Sequence, residues 1–139
     1  MLSNKTIYGL KALGYLAKKY GDGPILISEI AKEKKIPLKF LESILLLLKK
    51  NNILESKKGK GGGYYLAVSP KKVSIAQAIR IIEGPIALVH CVSLNFYEKC
   101  EDCNETNCGL RKTMTEVRDA TLRVLTKKNL THLSDGFIC

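Results

Sequence analysis

Four cysteines lie within 18 residues in the second half of the chain, and they are the strongest chemical signal in the sequence. Successive members are separated by eight, two and four residues, and a fifth cysteine, Cys139, lies far from them. The four are Cys91, Cys100, Cys103 and Cys108. The chain starts without the apolar stretch of a secretion signal, and clustered thiols in such a chain indicate a metal site or redox chemistry rather than a disulfide framework.

The spacing of these cysteines favours an iron–sulfur cluster. A structural zinc site is usually built from two close cysteine pairs, whereas only Cys100 and Cys103 form such a pair here. The thiolates around an iron–sulfur core occur at wider and less regular spacings. Zinc and a disulfide are the alternatives. A thiol oxidoreductase is disfavoured, because Glu101 and Asp102 oppose thiolate formation and no βαβ pattern surrounds the pair.

The net charge of the chain is +10 over 139 residues, and it is placed unevenly. Residues 1–72 hold 15 lysines and 5 acidic residues, whereas residues 73–139 hold 8 basic and 8 acidic residues. A basic half of this kind indicates a surface that meets nucleic acid, with a solvated basic face as the alternative. No apolar run is long enough to span a membrane, and we therefore expect a cytoplasmic protein.

The first half of the chain predicts a winged helix-turn-helix domain. Apolar residues at helical spacing predict a first helix over 4–20, and Ser28 can cap a short second helix. Pro37 suits the first turn of a third helix, which ends near residues 51–52. The apolar residues predicted to face the core are Ile7, Leu10, Leu13, Leu16, Ala17 and Tyr20 in the first helix, and Leu38, Leu41, Ile44, Leu45 and Leu48 in the third.

Two extended runs, 53–57 and 64–68, flank the glycine-rich segment 58–63 and predict a β-hairpin wing. The third helix is then the element that enters the major groove of DNA, because its core-facing leucines leave other side chains free to read base edges. These outward side chains are Lys39, Phe40, Glu42 and Ser43. Lysines at the helix end and in the wing are expected to contact phosphates, which position the protein without reading sequence. They are Lys49, Lys50, Lys57, Lys58 and Lys60.

The second half predicts a helix, a cysteine loop and a longer helix. Ser74 and Gln77 form a capping box that opens one helix, and Gly84-Pro85 closes it. A helix of about 20 residues begins near Gly109, and its apolar residues alternate in steps of four and three. This seam favours packing against the same helix of a second subunit, with packing inside one chain as the alternative. The seam residues are Leu110, Met114, Val117, Thr121 and Val124.

The fold class is therefore mainly α, with three parts along the chain. Residues 1–84 form the DNA-binding domain, a three-helix core plus a β-hairpin wing. Residues 85–108 form the cysteine-rich loop, and residues 109–139 form a C-terminal dimerisation helix and tail. The loop from 91 to 108 holds four acidic residues and one lysine, a charge that lowers the reduction potential of a bound cluster.

Five segments of the chain resemble the Rrf2 family of bacterial regulators, the family of IscR, NsrR and CymR. The resemblance covers residues 1–133 and implies a homodimeric winged-helix transcription factor, often with an iron–sulfur cluster. It also implies DNA contacts at the four outward residues of the third helix and at Lys58 in the wing. The segments are KTIYGLKAL (5–13), ISEIA (27–31), FLESIL (40–45), GKGGGYYL (59–66) and IEGPIALV (82–89).

The resemblance matches Cys91 and Cys108 to the first and last cluster cysteines, and it leaves the middle position to Cys100 or Cys103. IscR-like members carry a histidine ligand three residues after the last cysteine, where this chain has Arg111. NsrR-like members use an acidic residue of the first helix, where this chain reads Thr-Ile-Tyr at 6–8. We therefore predict ligation by all four cysteines.

The predicted function is that of a dimeric, DNA-binding transcriptional regulator rather than an enzyme. Its cluster would sense redox state, nitric oxide, oxygen or iron–sulfur status. A cluster-free or zinc-binding regulator of the same family is the alternative.

Overall fold

The computed structural model describes residues 1–134 and shows a mainly helical winged-helix fold. A two-stranded antiparallel sheet lies between the third and fourth helices, and short 3-10 turns cover Pro70–Lys72 and His90–Val92. In this part of the chain, no helix is both long and apolar enough to cross a membrane. The helices are α1 (Asn4–Lys18), α2 (Ile27–Lys34), α3 (Leu38–Lys50), α4 (Ile75–Ile82), α5 (Gly109–Lys127) and α6 (Thr131–Ser134), and the strands are β1 (Leu54–Lys57) and β2 (Gly63–Leu66).

The hydrophobic core is formed by α1, α3 and α4, closed by the wing and by residues that follow α5. The predicted apolar faces of α1 and α3 are buried, with three exceptions, of which Ile7 near the start of α1 is half-buried. Tyr20 is half exposed because α1 ends at Lys18, and Leu38 is 45% exposed because it begins α3 ahead of the first core position, Leu41. Leu130 is fully buried in the same core.

The start of α2 differs from the prediction. Ser28 does not cap this helix, which begins at Ile27 with Leu26 at its N-cap and no capping side chain. The backbone of Ile25 exchanges two hydrogen bonds of 2.8 Å with Tyr64 of β2, so the chain stays extended up to this point and turns into the helix directly afterwards. Pro37 likewise lies one residue before α3, at its N-cap, rather than in its first turn.

The wing is a hairpin in which Leu54 pairs with Leu66 and Lys57 pairs with Gly63. Both strands are shorter than the predicted runs, since β1 starts at Leu54 and β2 ends at Leu66. Gly63 has a φ of 143° and lies with its α-carbon against the backbone of Ile25, where any Cβ would clash. The wing is thereby attached to the segment that leads into α2.

The boundaries of α4 and α5 agree with the prediction. Ser74 Oγ accepts a 3.0 Å hydrogen bond from the Gln77 backbone N–H, and Gly84 after the helix has a φ of 105°. The long helix α5 begins at Gly109 and has 19 residues, none of which is buried in the single chain. Such an unburied helix with apolar side chains requires a further packing surface.

A hydrogen-bonded cluster joins the start of α1 to the end of α4, directly before the cysteine loop. The Ser3 backbone N–H and hydroxyl donate to the Glu83 carboxylate at 3.0 and 2.7 Å, and the buried Thr6 hydroxyl donates to the same oxygen. These bonds, that from Thr6 foremost, lower the pKa of Glu83. The carboxylate therefore fixes the segment that leads into the loop to the DNA-binding domain.

Candidate DNA-binding surface and cysteine site

The four outward residues predicted on α3 are all exposed. Leu41, Ile44 and Leu45 face the core and turn the opposite side of the helix to solvent. Phe40 is 50% exposed, and its ring meets that of Tyr8 on α1 edge-on, with centroids 6.0 Å apart. Tyr8 therefore covers one side of the Phe40 ring, and the other side is exposed to solvent. The exposed residues are Lys39, Phe40, Glu42 and Ser43.

The five lysines predicted to meet phosphates are also exposed, at the end of α3 and in the wing. One of them has a structural contact that the sequence did not indicate, since Lys49 Nζ donates a 2.6 Å hydrogen bond to Ser56 Oγ on β1. This bond ties α3 to the wing and leaves two ammonium hydrogens for a phosphate. The five are Lys49, Lys50, Lys57, Lys58 and Lys60.

The four clustered cysteines lie at the two ends and in the middle of one loop. Cys91 is buried in the 3-10 turn His90–Val92, with 4% of its surface exposed, whereas Cys100 is exposed. Cys103 and Cys108 are half-buried. Cys108 is the N-cap of α5, where its sulfur accepts a hydrogen bond of 3.4 Å from the Arg111 backbone N–H.

The surroundings raise the pKa of two of these thiols and lower that of a third. Burial, followed by the interaction with Cys100, raises the pKa of Cys91, and burial, followed by the interaction with Cys108, raises the pKa of Cys103. The pKa of Cys108 is lowered, chiefly by the hydrogen bond from the Arg111 backbone, because a helix N-terminus favours a thiolate.

An arginine joins the buried end of the loop to the long helix. Arg118 Nη1 donates a 2.7 Å hydrogen bond to the Val92 carbonyl oxygen, next to Cys91. Its other nitrogens, Nε and Nη2, bind Asp119 Oδ1 at 2.9 and 2.8 Å. Arg118 was not predicted as a site residue, although its separation of seven residues from Arg111 places the two on one face of a helix.

An iron–sulfur cluster requires several thiolate ligands that converge on one place. Within residues 1–134, no three His, Cys, Asp or Glu side chains are placed so that they could hold one metal ion together. The four thiols of the loop nevertheless supply the type and number of ligands that clusters use. The residues therefore fit a cluster in chemistry.

A winged helix with an exposed basic face, followed by a long unburied helix, defines a DNA-binding transcriptional regulator. Residues 2–136 match the family described as "Rrf2: Iron-dependent Transcriptional regulator", and the chain belongs to this family. It is 43% identical over 121 residues to an Rrf2-like HTH-type transcriptional regulator of Rhodobacter capsulatus, covering 84% of this chain and 81% of that protein. These relatives are transcriptional regulators, which confirms that the chain is not an enzyme.

Two solved structures show the same fold. "CymR (YrzC) the Global Cysteine Regulator of B. subtilis" superposes with a TM-score of 0.79 at 31% identity, over 96% of this chain and 95% of that one. "T. potens IscR" gives a TM-score of 0.72 at 26% identity, over 94% and 82%. The chain is thus similar both to a regulator named for cysteine and to IscR.

Replacing Arg118 by Gln is expected to lower the free energy of unfolding by about 1 to 2 kcal/mol, because the Val92 carbonyl loses a charge-assisted hydrogen bond. Urea denaturation followed by circular dichroism measures this change. Arg123→Gln is the matched control, since Arg123 is exposed on the same helix, and it should change stability by less than about 0.5 kcal/mol. Equal stability of the two variants would contradict the role given to Arg118.

Proposed function

We propose that this regulator acts as a homodimer whose affinity for DNA depends on an iron–sulfur cluster held by the four clustered cysteines. Such a cluster, when bound, supplies an inorganic centre that changes with redox state, nitric oxide, oxygen or iron–sulfur supply. The observation that carries the proposal is the position of Cys108, which is both a member of the thiol group and the N-cap of α5. The ligands are Cys91, Cys100, Cys103 and Cys108.

The DNA-reading role rests on the exposed face of α3 and on the wing. Lys39 can donate to a guanine edge, Glu42 can accept from a cytosine amine, and Phe40 can contact a thymine methyl group. The lysines of the helix end and of the wing neutralise phosphates. If a dimer neutralises about eight phosphates, its affinity falls with about the seventh power of salt concentration.

The dimer is supported by the exposed apolar residues of α5. Leu110 is 60% exposed, Val124 is 56% exposed and Val117 is 37% exposed, all on the seam predicted to pack against a second helix. Large apolar side chains repeated along one helix at this spacing are typical of a helix–helix interface. A second copy of α5 is the partner that this seam favours. Two identical helices carry their apolar residues at the same spacing and can pack symmetrically.

The chain itself connects the cysteine loop to the DNA-binding face. Cys108 begins α5, and Arg118 holds α5 to the turn that contains Cys91. Ordering of the loop against α5 therefore fixes both ends of the loop relative to the dimer seam. In a dimer this sets the separation of the two α3 helices, which must match half-sites one or more turns of DNA apart.

A second candidate is a regulator of the same family without a cluster, or with zinc. The cluster-free form is favoured by the similarity to the cysteine regulator CymR, and by the finding that no three potential ligands within residues 1–134 are placed to hold one metal ion. Under this proposal, zinc on the thiols or an interaction with another molecule would control DNA binding. The two proposals predict different contents of iron, sulfide and zinc in the purified protein, and measuring these contents separates them.

Protein purified under anaerobic conditions is expected to be coloured, with absorbance at about 320–450 nm, and to contain iron and sulfide. Cys91→Ser and Cys108→Ser should remove this absorbance, whereas the thiol control Cys139→Ser should retain it. Parallel Cys100→Ser and Cys103→Ser variants show whether both middle cysteines bind. A colourless protein that contains zinc would contradict the proposal and support the second candidate.

Glu42→Gln and Lys58→Gln are expected to affect DNA binding in different ways. Loss of a base contact at Glu42 should relax discrimination at one base pair by about 1–3 kcal/mol, while loss of a phosphate contact at Lys58 should weaken binding to all sequences and reduce the salt slope by about one. Binding to mutated operators over a salt series measures both effects. Lys112→Gln on α5 is the control, and a similar effect of all three variants would reject the assigned surface.

A further inference from the structure

The exposed side of α1 is basic and lies next to the start of α3. No aspartate or glutamate occurs in Asn4–Lys18, so the charge of its lysines is not balanced on the helix itself. Lys5, Tyr8 and Lys11 follow one another at steps of three residues, which makes them neighbours on the helix surface. We call these three residues the α1 face. Within residues 1–134 the ion pair found is Arg118–Asp119, so neither lysine of the α1 face is paired with a carboxylate there.

The hydroxyl of Tyr8 is a hydrogen-bond donor that the described chain leaves free. Three other tyrosines, Tyr15, Tyr65 and Tyr97, donate their hydroxyls to glutamates, whereas the Tyr8 hydroxyl forms no hydrogen bond within residues 1–134. The Tyr8 ring packs against the core, yet the buried side-chain donor that lacks a partner in this part of the chain is Arg111 Nε and not the Tyr8 oxygen. The ring is therefore fixed by packing while its hydroxyl is accessible to solvent.

The contact between Tyr8 and Phe40 places this hydroxyl beside the groove that α3 is proposed to enter. The two ring centroids are 6.0 Å apart, and Phe40 lies in the first turn of α3, the part of such a helix that reaches base edges. The major groove of B-DNA is about 12 Å wide. With Phe40 over a base near the middle of the groove, Tyr8 lies half a groove width away, at the wall formed by the phosphates.

We propose that the α1 face binds the phosphate backbone beside the base pairs that α3 reads, with Tyr8 as a neutral donor flanked by two lysines. The inference rests on the proposed DNA-reading role of α3 and extends it to a helix outside the helix-turn-helix. The lysines assigned above lie at the end of α3 and in the wing, whereas the α1 face adjoins the first turn of α3. The duplex is then held at both ends of α3, by contacts that fix its orientation without reading sequence.

The first test compares Tyr8→Phe with the wild type. This variant keeps the ring and its contact with Phe40 and loses only the hydroxyl, so its melting temperature should be unchanged. Its operator affinity should fall about tenfold, because a hydrogen bond to a charged phosphate is lost in each subunit. The dependence of affinity on salt should stay the same, since no charge is removed. Tyr20→Phe removes the hydroxyl of an exposed tyrosine beyond the end of α1 and should bind like the wild type.

The second test uses Lys5→Gln and Lys11→Gln, which each remove a charge. Each variant should weaken binding to all sequences alike and reduce the salt slope by about one for each subunit, whereas Lys112→Gln on α5 should not. Operator phosphates are then replaced one at a time by uncharged methylphosphonates to locate the contact. The replacement that weakens binding of the wild type should have little further effect on Lys11→Gln, as in a double-mutant cycle.

The outcomes separate this inference from the proposed function. If Glu42→Gln and Lys58→Gln alter DNA binding as expected but the three α1 variants match their controls, the inference is wrong and the assigned surface of α3 and the wing stands. If the α1 variants weaken DNA binding while Glu42→Gln and Lys58→Gln have no effect, the α1 face stands and the assigned surface fails. If none of the five variants differs from its control, both are overturned.

Discussion

The hydrogen bond from the backbone N–H of Arg111 to the sulfur of Cys108 joins the cysteine loop to the long helix α5. It caps the 19-residue helix α5 with a member of the thiol group, so the start of the helix and the chemistry of the sulfur site share one atom. A helix N-terminus favours a negatively charged partner, which makes the Cys108 thiolate and the helix mutually stabilising. A change in the charge of the Cys108 sulfur therefore acts directly on the first turn of α5.

Two further contacts hold the ends of the cysteine loop in place. Arg118, two turns further along α5, holds the turn that contains the buried Cys91, and Glu83 holds the segment before the loop to the start of α1. The loop is therefore fixed at both ends, while its middle, with the exposed Cys100, is open to solvent. Lys49 links α3 to the wing through its hydrogen bond to Ser56 on β1.

The elements were largely predictable from the sequence, since each depends on local signals. Apolar periodicity defined α1, α3 and α5, Ser74 and Gly84 marked the ends of α4, and the glycine-rich run marked the wing. The start of α2 was not predictable from Ser28, because the long-range pairing of Ile25 with Tyr64 decides where that helix begins. A tertiary contact of this kind leaves no signal in the local sequence.

The candidate site was predictable in its residue types but not in its arrangement. Cysteine spacing indicated a sulfur site, yet the burial of Cys91, the cap at Cys108 and the contact made by Arg118 depend on how the loop folds back on α5. The contact of Phe40 with Tyr8 likewise joins residues 32 positions apart. Such contacts follow from packing and become visible only in the folded chain.

In the proposed mechanism, the state of the cysteine site controls the affinity of the basic N-terminal half for DNA. The most direct measurement compares the operator affinity of cluster-loaded and cluster-free protein at one salt concentration, with a non-specific duplex as reference. We expect the ratio of specific to non-specific affinity to differ between the two forms, because the separation of the two α3 helices differs. Identical ratios for both forms would contradict it.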